Sequence, residues 1–169
     1  RETYLQSEPG QKHTEVILGM IRSGLAASGG SRERLKGIAF GSGPGAFTGL
    51  RVACGLAQGL GWALNLPLIP VNTLLALAYV HHETLEEGAR LLAAIDARMH
   101  ECYCAVFRYE NKEFKEVTAP ALCKPSELLA IADDNGADFL CGNAFRIYAD
   151  EIGNHAPKKL LSTDDVNAQ

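Results

Sequence analysis

The sequence predicts an α/β fold of two tandem units, each a mixed sheet flanked by helices. Residues 35–71 read as a strand, a Gly-rich loop, a helix of about four turns and a second strand. Residues 91–118 read as three strands in succession, followed by alternating helix and strand. Between them, the polar run 82–88 reads as a linker, so the units are expected at 1–88 and 89–169. A chain of 169 residues, 47% hydrophobic and 21% charged, suffices for two small cores. The net charge of −4 argues against the chain alone gripping RNA or DNA, which favours a basic face. No uninterrupted apolar run approaches the roughly 20 residues of a membrane span.

The chain begins at Arg1, and RETYLQSE resembles the end of a strand, so further sequence upstream is expected. A helix follows from residue 14 to its stop at Gly29-Gly30. Its apolar residues Val16, Ile17, Leu18, Met20, Ile21 and Leu25 span about 200° of the wheel, against roughly 100° for a one-sided helix. It is expected to be covered on two sides, by its own sheet and by a neighbouring helix of this chain or of a partner. His13, at its start, reads as a capping or interface residue.

The loop after the strand at 38–40 holds three glycines and a proline within five residues, Gly41 to Gly45. Such a backbone needs dihedrals that side chains obstruct. Thr48 reads as the N-cap of the next helix. A Gly-rich turn entering a helix is also an anion cradle, which makes Ser42, Gly43, Gly45 and Thr48 candidate anion- or nucleotide-proximal residues. The specific phosphate patterns are missing: no G-K-[ST] follows, and the spacing is not G-x-G-x-x-G. A packing or partner loop is the competing reading.

The following helix has two faces at about 100° per residue. Gly49, Ala53, Leu56, Ala57, Leu60 and Leu64 suit burial on a sheet; Arg51, Gly55, Gln58, Gly59 and Trp62 lie opposite. Mid-helix glycine costs about 1 kcal/mol relative to alanine. Two of them four apart beside Trp62 therefore mark a groove for another backbone, within this chain or on a partner.

Asn72-Thr73 caps a further helix ending in His81-His82, adjacent histidines that face apart and read as surface residues near a helix C-terminus. In the second unit, 91–95 reads as a buried strand, 96–100 as a turn, and 101–109 and 114–118 as strands. Pro125 opens a helix to about residue 135; a strand at 138–141 and a helix at 144–152 follow. Asp96, Arg98 and Glu101 form either an acid/base cluster or a structural turn in which Asp96 caps the backbone and pairs with Arg98. The five cysteines (Cys54, Cys102, Cys104, Cys123, Cys141) contain no C-x-x-C pair. Cys102 and Cys104 would share one strand face, a poor geometry for a disulfide or zinc, so reduced thiols in a cytoplasmic protein are expected. The tail LSTDDVNAQ supplies no closing helix.

The segment GSGPGAFTGLRVACGLAQGLGWALNLPLIPVNTLLALA resembles the GPGSFTGLR segment of the TsaB (YeaZ) family, and the turn Asp96-Ala97-Arg98 resembles that family's D-A-R turn. Those proteins are bacterial subunits of the machinery that makes threonylcarbamoyladenosine in tRNA. The resemblance implies two RNase H-like units in the tandem arrangement of the actin-like ATPase superfamily. It also implies an upstream hairpin with an acidic D-T-S-type turn, which is not in this sequence. It implies a non-catalytic subunit that docks a catalytic transferase of TsaD type, with an ATPase subunit of TsaE type joining, and that can also form a homodimer. Contact would run through the first two helices, with His13, Val16, Ile17, Met20, Arg51, Gly55, Gln58, Gly59 and Trp62 as candidate partner-binding residues. ATP and metal would sit on the partner subunits, with no cofactor on this chain alone and tRNA met only through the complex. The related catalytic subunits carry a metal-holding H-x-x-x-H at the corresponding helix; here the second position is Ile17, and Glu15 points elsewhere. Two rival classes are a self-sufficient actin-like ATPase or small-molecule kinase, and a glycoprotease-like peptidase. The latter lacks H-x-x-x-H, H-E-x-x-H and a nucleophile elbow.

Overall fold

A computed structural model describes residues 5, 13–153 and 158–161, without the side chains of His13 and Thr14. The expected strand end at 1–8, apart from Leu5, and the tail beyond 161 lie outside the described residues. The chain divides into two packing units, residues 1–42 with 47–71 and residues 43–46 with 72–169.

In the first unit, α1 (His13–Ala27) ends as its sequence dictates. Gly29 takes φ 66°, its N–H donates to Ala26 O, and Gly30 N–H reaches Leu25 O at 3.0 Å. That is a Schellman stop, which a residue with a Cβ enters only at a cost. Strands β1 (Ile38–Gly43) and β2 (Leu68–Asn72) form a two-stranded sheet. The helix between them, α2 (Phe47–Leu64), is 18 residues, or about five turns. It begins one residue before Thr48, so Thr48 lies in its first turn and is not its cap. At the other end, Asn65 adopts φ 50° and Leu66 N–H donates to Gly61 O, another Schellman stop.

The second unit carries strands β3 (Arg90–Arg98), β4 (Glu101–Glu110), β5 (Glu113–Glu116), β6 (Ala121–Cys123), β7 (Phe139–Cys141) and β8 (Lys159–Leu160). Their order is β5-β4-β3-β7-β8, with β6 also on β4. β4 is antiparallel to β3, β5 and β6, whereas β7 runs parallel to β3 and β8 parallel to β7. This is the RNase H-like order. Alternate residues of β3 point to opposite faces, and both faces are covered. Leu91 and Ala93 pack with Leu74, Leu77 and Ala78 of α3 (Thr73–Tyr79) and with Phe107. Leu92 and Ala94 pack with Leu128 and Ala132 of α4 (Leu128–Asp134) and with Phe145. Two-sided burial explains why β3 is continuously apolar rather than alternating.

Helix α3 thus buries its apolar side on the second sheet. The polar run after it is anchored there too: Leu85 is buried in the same core, and the Glu87 carboxylate accepts from Asn111 N–H at 2.9 Å. The packing division therefore falls ahead of α3, while composition changes only at residue 88. His81 is buried, contrary to the surface position expected for it; His82 is exposed. A one-turn 3-10 helix (His82–Thr84) follows, and the His81 carbonyl accepts from Thr84 N–H and Oγ1.

Helix α3 is only seven residues long, so its cap matters. Asn72 Oδ1 accepts from Leu74 N–H at 2.9 Å and from Leu75 N–H at 3.3 Å. Asn72→Ala is expected to cost about 1 kcal/mol, read as a lowered urea midpoint with an unchanged slope.

The helix expected at 144–152 is two short ones, α5 (Ala144–Ile147) and α6 (Ala149–Ile152), broken at Tyr148. Among the described residues no helix is long and apolar enough to cross a membrane.

Candidate functional site

Among the described residues, the most exposed apolar side chains of the first unit, Trp62 and Phe47, lie on one side of α2. Ala53, Leu56, Ala57, Leu60 and Leu64 are buried or half-buried, while Arg51, Gly55, Gln58 and Gly59 are exposed and Trp62 is 92% exposed. The 3.6-residue period separates these faces as the sequence predicts, except that Gly49 is exposed. A Cβ placed on Gly55 or Gly59 would meet nothing within 4 Å. At Gly61, on the covered side, it would stand 2.7 Å from Leu68 Cδ2. Of these three glycines only Gly61 packs closely on neighbours within the unit, where a Cβ would make the Leu68 side chain shift. Gly55 and Gly59 keep an open furrow alongside Trp62.

Phe47 belongs to the same arc and was not singled out from sequence. It is 68% exposed, and the Arg51 guanidinium lies 3.9 Å from its ring centroid. This cation–π contact one turn apart holds both side chains on the helix surface. The signal was the i, i+4 spacing, hidden because Phe47 reads as part of the loop.

On α1, Val16, Ile17 and Met20 are half-buried, and none of its described side chains is fully buried. Leu18, Ile21 and Leu25 instead line an open cleft of about 990 Å³, bordered by Ile38 of β1 and by Leu60 and Leu64 of α2. The wide apolar arc of α1 thus serves two directions, one toward this cleft and one through Val16, Ile17 and Met20. The side chain of His13 lies outside the described residues.

The loop residues have other partners. Ser42 Oγ donates to Val71 O at 3.1 Å, tying the loop to β2, and Gly43 adopts φ 102°. Thr48 is exposed. The Ser42 hydroxyl is thereby committed to the backbone, and no lysine stands in the loop.

In the second unit the Asp96 turn is a hydrogen-bonded knot. Asp96 Oδ1 accepts from Arg98 N–H at 2.9 Å and from the Tyr148 hydroxyl at 2.7 Å. Asp96 N–H donates to Asn143 Oδ1 at 2.9 Å. Asp96 therefore caps the turn, as the structural reading held, but through the Arg98 backbone. Donation to the Asp96 carboxylate pushes the Tyr148 hydroxyl up to about 12. His100 Nε2 stands 2.5 Å from Glu151 Oε2, joining the turn to α6. Arg98, Met99 and His100 all hold positive φ without a glycine. Sequence reasoning missed Asn143 and Tyr148, which lie about 50 residues from Asp96 and carry no local signal.

The family model described as tRNA N6-adenosine threonylcarbamoyltransferase, TsaD, matches residues 7–147. The tRNA threonylcarbamoyladenosine biosynthesis protein TsaB of Haemophilus influenzae is 35% identical over 156 residues, covering 88% of this chain and 65% of that protein. TsaB of Escherichia coli is 43% identical over 117 residues, covering 68% of this chain and 50% of that protein. The chain thus spans between half and just under two thirds of these two curated relatives. The solved structure of YeaZ from Pseudomonas aeruginosa superposes with a TM-score of 0.76 at 34% identity, covering 90% of this chain and 71% of that one.

Proposed function

The chain belongs to the TsaB (YeaZ) family, and from that membership we propose that it is a non-catalytic scaffold and activating subunit in the biosynthesis of threonylcarbamoyladenosine in tRNA. It docks a catalytic threonylcarbamoyl transferase of TsaD type through α1 and α2, and an ATPase subunit of TsaE type joins that pair. ATP and metal are held by those partners, tRNA reaches this chain only through the assembly, and in isolation the same helices support a homodimer. The site of action is cytoplasmic.

The observation that carries this reading is the open face of α2, with Trp62 92% exposed beside two glycines whose Cβ would meet nothing within 4 Å among the described residues. Covering a tryptophan removes on the order of 200 Å² from water. At about 25 cal/mol per Å², that is about 5 kcal/mol before the costs of association. A partner that covers Trp62 thus gains a large fraction of what a micromolar complex requires, about 8 kcal/mol. The Ser42–Val71 bond and the Asp96–Tyr148 knot agree with a scaffold, because both use polar side chains for structure.

The test is co-purification of this chain with the transferase subunit, followed by assay of the modified nucleoside once the ATPase subunit is added. Trp62→Ala is expected to weaken association at least tenfold and to leave the thermal midpoint of the isolated chain unchanged, because so little of that side chain is buried. Calorimetric titration of the isolated chain with ATP and magnesium is expected to show no tight binding. Tight binding there would replace the scaffold with the self-sufficient ATPase.

A further inference from the structure

We propose that Cys104 and Cys123 form a reversible intramolecular disulfide that fastens β6 to β4 when the chain meets a small-molecule disulfide such as oxidised glutathione. The pairing register places Cys102 opposite Cys123 and Cys104 opposite Ala121, so Cys104 and Cys123 are diagonal neighbours on one sheet face. Their sulfurs are 3.5 Å apart, with the Cys123 thiol donating to Cys104. Closing to a disulfide of about 2.05 Å needs a movement of roughly 1.5 Å. β6 can make that movement, since it is three residues long and, among the described strands, pairs with β4 alone.

Access and reactivity divide between the two thiols. Cys104 is 3% exposed within the core under α4, while Cys123 is half-buried at the margin of that core. Cys123 is therefore the sulfur an external reagent reaches. Its thiolate attacks one sulfur of glutathione disulfide, that S–S bond breaks, and one glutathione thiolate leaves. Cys104 then attacks Sγ of Cys123 in the mixed disulfide and expels the second glutathione. Two protein thiols are oxidised, one glutathione disulfide is reduced, and the two protons end on two glutathione molecules. Before reaction the hydrogen bond between them holds the Cys123 thiol up and the Cys104 thiol down; it ends when Cys123 loses its proton, so the resolving attack rests on the 3.5 Å separation of the two sulfurs. The remaining cysteines stand apart from this chemistry. Cys102 lies opposite Cys123 in register, but the sulfur contact of Cys123 is with Cys104, and burial pushes the Cys102 thiol up to about 12; Cys141 belongs to the opposite face of the sheet; Cys54 lies in the other unit.

The experiment equilibrates the full chain in glutathione buffers of rising oxidised fraction, counts free thiols, and maps linkages by mass spectrometry of unreduced digests. The expected result is loss of two of the five thiols, a linked peptide pair containing Cys104 and Cys123, and full reversal by reduced glutathione. The closed loop should raise the thermal midpoint by at least about 5 °C. Cys102→Ser should keep the loss of two thiols, and either Cys123→Ser or Cys123→Ala should abolish it. Five thiols persisting throughout, glutathione retained on Cys123, a bridge mapped to Cys102 or a covalent dimer would each overturn the proposal.

Discussion

Gly55→Arg on the open face of α2 is expected to abolish association with the transferase subunit, at least a hundredfold in Kd, while the isolated chain keeps its thermal midpoint within about 2 °C. Both halves of this expectation come from one geometric fact. A Cβ at Gly55 meets nothing within 4 Å, so the arginine side chain finds room in the free chain. The same side chain fills the furrow beside Trp62 that a docked backbone would occupy, and it adds a charge that the partner must desolvate. Gly55→Ala and Gly59→Ala separate volume from propensity. Each should stabilise the free chain by up to about 1 kcal/mol, because an exposed mid-helix glycine is the least favourable residue there other than proline. Gly61→Ala is the opposing control: its Cβ makes Leu68 shift and stands 3.3 Å from the Leu66 carbonyl, so it should gain less stability than the other two, without touching the exposed face. Unfolding of Gly55→Arg, or undiminished binding by it, would remove this face from the proposed interface.

Gly142→Ala is expected to cost about 2–6 kcal/mol in unfolding free energy, a large share of the 5–15 kcal/mol that holds an ordinary domain. Gly142 follows β7 and adopts φ 112°, a conformation that L side chains rarely enter, at roughly 1–3 kcal/mol. A Cβ there would also collide with the Ala94 carbonyl, because Cys141 is in register with Ala93 and the chain passes directly over β3. Forcing the strands apart adds about 1–3 kcal/mol. The damage should spread to the Asp96 turn, since Asn143, the next residue, accepts from Asp96 N–H. Urea unfolding followed by near-ultraviolet circular dichroism checks this. A loss below about 1 kcal/mol would show that the close approach relaxes freely.

How much of this was legible depended on range along the chain. The Gly29-Gly30 stop of α1, the two faces of α2 apart from Gly49, the β4 strand and the Asn72 cap all follow from spacings of four residues or fewer and stand where expected. By contrast, β3 runs on to Arg98 through most of the turn expected at 96–100, because β4 pairs with it there. The strands β6 and β8 are three and two residues long, too short for a periodic signal, and they exist because β4 and β7 offer them hydrogen bonds. The burial of His81 was likewise hidden, because adjacent histidines at a helix end carry no local signal of which one the fold covers.

The exposed helix face shows the same division. Sequence alone determined that Arg51, Gly55, Gln58, Gly59 and Trp62 share one side of α2, since a helix of 3.6 residues per turn leaves them no other arrangement. It did not determine which glycine was spare. Only the tertiary structure separated Gly61, which packs on Leu68, from Gly55 and Gly59, which face open space; the Arg51–Phe47 stack in that face is local, four residues apart on one helix. Periodicity states which residues share a side, a property of the local backbone. What covers that side depends on chain segments distant in sequence, and those meet only in the fold.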